Sequence, residues 1–149
     1  MSPEEWARYR ETAVRAYAED KVRTGAWPEA EALERSDGEF TALLPDGVRT
    51  PDHHVRSIVD EAGDLVGALW FGPGTGTGRT CFIYDFEVFA AYRGRGFGRA
   101  ALAALEPIAR EVGYDAIALH VFGDNDVARN LYRSSGYVET DVSMRKPLL

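Results

Sequence analysis

The amino-acid sequence predicts an α+β (α/β) fold class, and three observations support this prediction. The first third of the chain places apolar residues at the three- and four-residue spacing of amphipathic helices. A dense run of β-branched and aromatic residues, typical of a buried strand, begins at Cys81. That run passes through a glycine-rich basic loop into an alanine- and leucine-rich helical pattern.

The N-terminal pattern divides into two predicted helices. The first covers residues 3–24 and begins with Ser2-Pro3-Glu4-Glu5. That start combines a capping hydroxyl, a proline in the first turn and acidic residues near the positive end of the helix dipole. Gly25 ends this helix, and a second helix over residues 29–44 follows Pro28.

The middle of the chain is predicted to form three strands. Residues 55–60 and 65–71 have the pattern of a hairpin. The glycine-rich residues 72–80 superficially resemble a Walker A loop, but the lysine position holds an arginine and a strand follows where a helix is required. We therefore predict a mobile hairpin loop that leads into a central strand, residues 81–89.

The C-terminal part is predicted to alternate between helix and strand. Its four elements are a helix over 98–112, a strand over 116–121, a helix over 127–135 and a last strand over 137–146. Pro107 lies inside the first of these helices and is expected to loosen it. Since no linker or repeat divides the chain, we expect a single domain, residues 1–149.

The composition limits the classes of function. With 45% hydrophobic and 28% charged residues, the chain has the profile of a soluble globular protein. A net charge of −7 disfavours nucleic-acid binding, and no apolar run is long enough to cross a membrane. The acidic balance favours a cationic partner, although ordinary solubility explains it equally well. With one cysteine and no apolar leader, we expect a cytoplasmic protein.

The basic loop has the composition of an anion-binding site. Glycines allow a phosphate to approach the backbone, and the free N–H groups at the start of a helix point toward it. The spacing is not G-x-G-x-x-G and no Walker lysine follows, so a nucleotide-binding domain of another fold is disfavoured. The residues that we predict to surround a pyrophosphate are Arg93, Gly94, Arg95, Gly96, Phe97, Gly98 and Arg99.

A second motif lies about 30 residues downstream. The stretch ALHVFGDNDVARNLYRSSGY, residues 118–137, contains an asparagine, an alanine three residues later, a Leu-Tyr pair and a Gly-aromatic pair. Together with Arg93-x-x-Gly96-x-Gly98 after the central strand, it resembles the two diagnostic motifs of the GNAT superfamily of N-acetyltransferases. The resemblance covers residues 81–146.

The resemblance implies a mixed, strongly twisted sheet flanked by helices. Strands 81–89 and 116–121 would splay apart and admit coenzyme A between them. The pantetheine arm would pair with the backbone from Phe86 to Val88 like an added strand. The pyrophosphate would then lie on the N–H groups of the basic loop, and acetyl-CoA is the implied cosubstrate.

Two residues of the second motif acquire expected roles from this resemblance. Tyr132 matches the family's frequent general acid, a phenol that would protonate the departing thiolate. It could instead be a packing residue. Asn125 matches an asparagine that binds coenzyme in the family, and capping of its helix is the alternative.

The general base is left open by the sequence. Asp85 and Glu87 lie two residues apart on the central strand, so both side chains project to one face. Carboxylates in so apolar a strand indicate either a functional site or a solvated face. His120, His53, His54 and a chain of waters are further candidates. The adjacent histidines point to opposite sides of an extended chain and lack a third ligand, so we predict no metal site.

These expectations combine into one reaction. We expect transfer of an acetyl group from acetyl-CoA to an amine of a small molecule or peptide, by direct attack within a ternary complex. The alternative is a non-catalytic module that binds coenzyme A as a sensor or interaction partner. Both a monomer and a homodimer are compatible with the sequence, and neither nucleic acid nor membrane is an expected partner.

Overall fold

The computed structural model describes residues 1–76 and 78–148. Its helices and strands follow each other in the order α1 (Pro3–Arg23), α2 (Glu29–Leu43), β1 (His54–Val59), β2 (Leu65–Pro73), β3 (Thr80–Val88), α3 (Phe97–Val112), β4 (Ala116–Leu119) and α4 (Asp126–Ser134). Short 3₁₀ turns occupy Gly47–Arg49 and Ala90–Tyr92. The predicted helices are confirmed to within one or two residues at each end, and α3 runs through Pro107.

Helix α1 begins where its capping signal lies. The Ser2 hydroxyl accepts a hydrogen bond from the Glu5 N–H, and the Glu5 carboxylate accepts one from the Ser2 N–H, which completes a capping box. On its buried face, α1 packs against α2, where the Ser36 hydroxyl donates to the Val14 carbonyl at 2.7 Å. No helix in the described ranges is long and apolar enough to cross a membrane.

The four strands form one mixed sheet in the order β1-β2-β3-β4. The pairs β1–β2 and β2–β3 are antiparallel, whereas β3 and β4 are parallel. The hairpin predicted between β2 and β3 closes with the Gly74 N–H donating to the Thr80 carbonyl at 3.0 Å. Thr77, within that predicted mobile loop, lies outside the described residues.

Two apolar cores lie on the two faces of the sheet. One core joins α1 and α2 to the first face and includes Tyr9, Phe40 and Trp70. The other joins α3 to the opposite face and includes Phe71, Cys81, Ile83, Leu102, Leu105 and Ala109. Because successive side chains of a strand alternate between the faces, Trp70 and Phe71 belong to different cores.

The predicted splay of the central strands is confirmed. Strand β4 pairs with β3 only from Thr80↔Ala116 to Ile83↔Leu119, and it ends two residues before the predicted boundary at 121. Strand β3 continues to Val88 while β2 pairs with its other edge. No strand among the described residues therefore covers the second edge of β3 after Ile83.

The prediction of a last strand over residues 137–146 is wrong. After the left-handed Gly136 (φ +95°), residues 137–148 form neither helix nor strand. Side chains of α4 hold the start of this segment, because Arg129 and Arg133 both pair with Glu139. The alternating sequence pattern reports which face a residue would take in a strand, but it carries no information on whether a partner strand is available.

Candidate active site

The glycine-rich loop adopts backbone conformations that favour glycine. Gly94 (φ +76°) and Gly96 (φ +86°) are both left-handed, and Gly96 directly precedes α3. A Cβ atom added at either position would meet no heavy atom within 4 Å, so this side of the loop is open. A Cβ at Gly98, in contrast, would lie 3.0 Å from Leu131 Cδ2, because the start of α3 packs closely against α4.

The backbone donors of this loop are available to a ligand. The N–H groups of residues 94–99 make no hydrogen bond within the described part of the chain, and the first internal bond of the helix runs from the Ala100 N–H to the Gly96 carbonyl at 3.0 Å. Free N–H groups at a helix start, together with the helix dipole, favour an anion. The loop can thus bind a phosphate group through its backbone alone.

The three arginines of the loop lie beside these donors. Arg93 Nε donates to the Val88 carbonyl at 2.8 Å, and an Arg99 Nη donates to the Ser134 hydroxyl at 3.0 Å. The Arg95 guanidinium lies 5.6 Å from the Tyr92 ring centre and 5.3 Å from that of Phe97. The arginines are therefore held in place by the fold, and they add positive potential around the N–H groups.

The C-terminal half of β3 exposes backbone groups toward the splayed edge. The register with β2 shifts between Trp70 and Phe71, which leaves Tyr84 as an extra residue on β3. Beyond this bulge, the Phe89 N–H donates to the Val66 carbonyl on the β2 side. Since hydrogen-bonding direction alternates along a strand, Phe86 and Val88 direct their N–H and C=O groups to the opposite edge.

A buried carboxylate lies just after the bulge. The Tyr9 hydroxyl donates to Asp85 Oδ2 at 2.7 Å, which ties α1 to β3. Burial raises the pKa of Asp85 to about 6, against a smaller opposing effect of the Tyr9 hydrogen bond. Burial also raises the pKa of Tyr9 well above 10, so the phenol remains a donor.

The second carboxylate of β3 faces a cavity. Glu87 lines a space of about 370 Å³ between α1 and the sheet, together with Tyr9, Glu5, Arg8 and Ser57. Asp85 contacts Tyr9 and Glu87 shares this cavity with Tyr9, so both carboxylates lie on the α1 side of the sheet. The prediction that they share a face is confirmed.

Tyr132 approaches the same strand from α4. Its ring centre lies 6.5 Å from that of Phe86 and 5.7 Å from that of Tyr137. Burial raises the pKa of Tyr132 to about 12, and the nearby Asp85 carboxylate acts in the same direction. The phenol is therefore protonated at neutral pH and can act as a proton donor beside the free edge of β3.

Asn125 caps α4. Its Oδ1 accepts a hydrogen bond from the Ala128 N–H at 3.1 Å, which satisfies one of the free donors at the helix start. Of its two predicted roles, capping is the one visible in this fold, and a contact with coenzyme stays a prediction.

The histidines take up separate positions. His53 Nδ1 accepts a hydrogen bond from Trp70 Nε1 at 3.0 Å, and burial lowers the pKa of this histidine. His54 stacks on Phe71 on the other face of the sheet, as the extended chain predicts. His120 is exposed beyond the end of β4. Within residues 1–76 and 78–148, no group of three or more His, Cys, Asp or Glu side chains could hold a metal ion.

Tyr9 is the site residue that sequence reasoning missed. It lies 76 residues before its partner Asp85, on the apolar stripe of α1, where an aromatic residue is expected to belong to the core. A tyrosine on a buried helix face does need a partner for its hydroxyl, and this was the one available signal. Nothing in the local sequence indicates which residue supplies that partner.

Comparison with known proteins agrees with this geometry. Residues 6–137 match the model of the acetyltransferase (GNAT) family. The uncharacterized N-acetyltransferases YycN and YdgE of Bacillus subtilis are 42% and 35% identical over 149 residues, which cover 99% of this chain and 96% and 95% of those proteins. A crystal structure of YycN superposes with a TM-score of 0.92 at 43% identity and covers 100% of this chain and 96% of its own. The chain therefore belongs to the acetyltransferase (GNAT) family.

Proposed function

We propose that the protein transfers an acetyl group from acetyl-CoA to a primary amine. One observation carries the proposal: the free N–H groups of residues 94–99 follow the uncovered edge of β3, Asp85 and Glu87 belong to that strand, and Tyr132 of α4 packs against its Phe86. Acetyl transfer from a coenzyme thioester to an amine requires four features, which are N–H donors for the pyrophosphate, a free strand edge, a proton donor and carboxylates.

The coenzyme would occupy the splay between β3 and β4. Its pyrophosphate would accept hydrogen bonds from the N–H groups that precede and begin α3. Its pantetheine arm would pair with the backbone groups of Phe86 and Val88 that point away from β2. The Val88 carbonyl already accepts from Arg93, so the Val88 N–H and both backbone groups of Phe86 would carry this pairing.

The reaction would proceed by direct attack. The amine nitrogen forms a bond with the thioester carbonyl carbon, and the carbon–sulfur bond then breaks. Tyr132 would protonate the departing thiolate, because its raised pKa keeps the phenol protonated until then. The proton lost by the amine goes to a carboxylate, either directly or through water.

The two carboxylates would have different roles toward the acceptor amine. Asp85, whose pKa of about 6 leaves it mostly ionised at neutral pH, would take the proton that the amine loses. Glu87 and Glu5 line the cavity that opens toward α1 and would attract a cationic amine. This division favours Asp85 as the base over the three histidines.

Calorimetric titration with acetyl-CoA tests the proposal, with Gly96→Glu as the main variant. A carboxylate at the start of α3 would repel the pyrophosphate, so binding in the micromolar range should be lost. Gly96→Asn is the matched control, because asparagine tolerates a left-handed backbone better than other residues and adds no charge. It should retain most of the binding. No binding by the unmodified protein would refute the proposal.

Turnover distinguishes the enzyme from the non-catalytic alternative. Release of coenzyme A would be followed with a panel of mono- and polyamines, amino acids and peptides. Binding of acetyl-CoA with turnover of at least one amine supports an N-acetyltransferase. Binding without turnover of any amine would favour a sensor or interaction module.

A further inference from the structure

The Tyr9 hydroxyl donates to the carboxylate that we propose as the base. Tyr9 belongs to α1 and is 9% exposed, and its ring centre lies 6.0 Å from that of Trp6. Its O–H donates to Asp85 Oδ2 at 2.7 Å, a length typical of a hydroxyl that donates to a charged oxygen. A phenol has one hydrogen to donate, so this bond uses it fully. The Asp85 carboxylate is therefore held by α1 as well as by its own strand.

The charged groups that act on Asp85 oppose its ionisation. Burial raises the pKa of Asp85 most, and the negative charges of Glu87 on β3 and Asp20 on α1 raise it further. Tyr132 on α4 is a neutral phenol at physiological pH, since its own pKa is raised to about 12. Within the described residues, none of the groups that shift the pKa of Asp85 is a cation. The ionised form must therefore be stabilised by neutral donors.

Two such donors act on Asp85. The Tyr9 hydroxyl lowers the pKa of this carboxyl more than the Phe86 N–H does, and both act by hydrogen bonding to the ionised form. In the proposed complex with coenzyme, the Phe86 N–H would pair with the pantetheine arm. Tyr9 would then be the donor that remains with Asp85 while the amine reacts.

We propose that Tyr9 is a positioning residue, which holds the Asp85 carboxylate ionised and leaves Oδ1 as the oxygen that receives the amine proton. The inference rests on the proposed function, in which Asp85 takes this proton. Because Oδ2 accepts from Tyr9, the proton that leaves the nitrogen would bind Oδ1, and the Tyr9 O–H bond stays intact. Burial raises the pKa of Tyr9 well above 10, so the phenol keeps its hydrogen through the reaction.

The pH dependence of kcat in Tyr9→Phe tests this role. Phenylalanine keeps the ring that packs beside Trp6 and removes the hydroxyl alone. The acidic limb of the parent should lie near pH 6, where Asp85 ionises. In the variant, it should move to higher pH by about one unit, because a hydrogen bond to the charged form is lost. At pH 6, the fraction of kcat relative to its plateau should fall about fivefold.

Direct titration of Asp85 provides a readout that does not depend on turnover. The side-chain carboxyl carbon would be followed by NMR, with Asp85→Asn to assign its signal. Its titration should move up by about one pH unit in Tyr9→Phe, in step with the limb of kcat. Tyr17→Phe is the matched control, because it removes a hydroxyl from the same helix that faces Glu39 and not Asp85. It should leave both pH dependences unchanged.

A double-mutant cycle shows whether Tyr9 acts through Asp85. In the Asp85→Asn background, Tyr9→Phe should change kcat less than twofold, because no carboxylate is left to position. This pair also keeps the test valid if a charge without its donor destabilises the single variant, since asparagine carries no charge. Circular dichroism would confirm that each variant is folded.

Three results would overturn the inference. A titration of Asp85 that moves while the limb of kcat stays in place would show that the carboxylate held by Tyr9 does not limit the reaction. An equal loss of kcat at every pH, or an undiminished loss in the Asp85→Asn background, would indicate a structural role. A parent that binds acetyl-CoA but acetylates no amine would refute the proposed function itself, and that result precedes any comparison of variants.

Discussion

The two halves of β3 differ in almost every respect although they belong to one strand. From Thr80 to Ile83, the strand is paired on both edges, and Cys81 and Ile83 are buried between helix and sheet. From Tyr84 to Val88, only the β2 edge is paired, and carboxylates replace apolar side chains. The bulge at Tyr84 separates the halves. The comparison teaches that the first half secures the fold, so that the second can leave backbone and polar groups available to a ligand.

The largest expected effect comes from the core that surrounds the paired half. Phe71 is fully buried opposite Ile83, and Phe71→Ala should lower the free energy of unfolding by about 3–5 kcal/mol because it leaves a cavity in the core. Urea unfolding measures this change. Val127→Ala, at an exposed position of α4, is the control and should stay within about 0.5 kcal/mol of the parent. An equal decrease in the free energy of unfolding in both variants would show that the core around the paired half contributes no more to stability than an exposed position.

In the open half, the expected effect is on chemistry. Tyr132→Phe should lower kcat by about 10²-fold or more, because the proton donor is lost. The free energy of unfolding should change little, since the Tyr132 hydroxyl makes no hydrogen bond to any described residue. Steady-state kinetics and urea unfolding would be measured side by side.

Tyr137→Phe is the matched control for this experiment. Its ring lies 5.7 Å from that of Tyr132, and burial likewise raises its pKa to about 12. The same loss of kcat in both variants would argue that the aromatic packing, and not the acid at position 132, limits the reaction.

Asp85 should affect both stability and activity, and both effects should depend on pH. Its folded pKa is raised from 3.8 to about 6, so between these values the folded protein binds more protons than the unfolded chain. The contribution of Asp85 to stability is therefore largest below pH 4 and declines as the pH rises to 6. Asp85→Asn removes this decline. Its stability relative to the parent should rise across that range, by at most about 3 kcal/mol.

Asp85→Asn should lower the activity, although it raises the stability relative to the parent. The parent should gain activity as the pH rises through 6, because the base becomes ionised, and the variant should be slow at every pH. Thermal unfolding and initial rates at a series of pH values measure both. Glu87→Gln, on the same face of β3, is the matched control. An equal pH-dependent gain in stability there would contradict the assignment to Asp85.

Local sequence signals predicted much of this fold because their causes are local. The capping residues of α1 and α4 determine where those helices begin. Asp85 and Glu87 could be placed on one face because both follow the bulge. An extra residue between them would have put them on opposite faces, and the two-residue period would then have misled.

What the sequence could not reveal depends on contacts between distant parts of the chain. The Tyr9–Asp85 hydrogen bond joins residues 76 positions apart, and the local sequence around either residue does not indicate the other. The segment after Gly136 has an alternating pattern that is typical of a strand, but pairing also requires an edge within reach. Tertiary geometry, and not propensity, decided both.

Cys81 can serve as a chemical probe for opening of the core around the paired half of β3. Its side chain is fully buried, burial raises the pKa of the thiol to about 11, and the residue lies between Pro73 on β2 and Ile117 on β4. A thiol reagent can react only after α3 and the sheet separate, because the Cys81 side chain lies in the core between them. The rate of alkylation therefore reports how readily this core opens. Since the chain has one cysteine, no second sulfhydryl contributes to the measured rate.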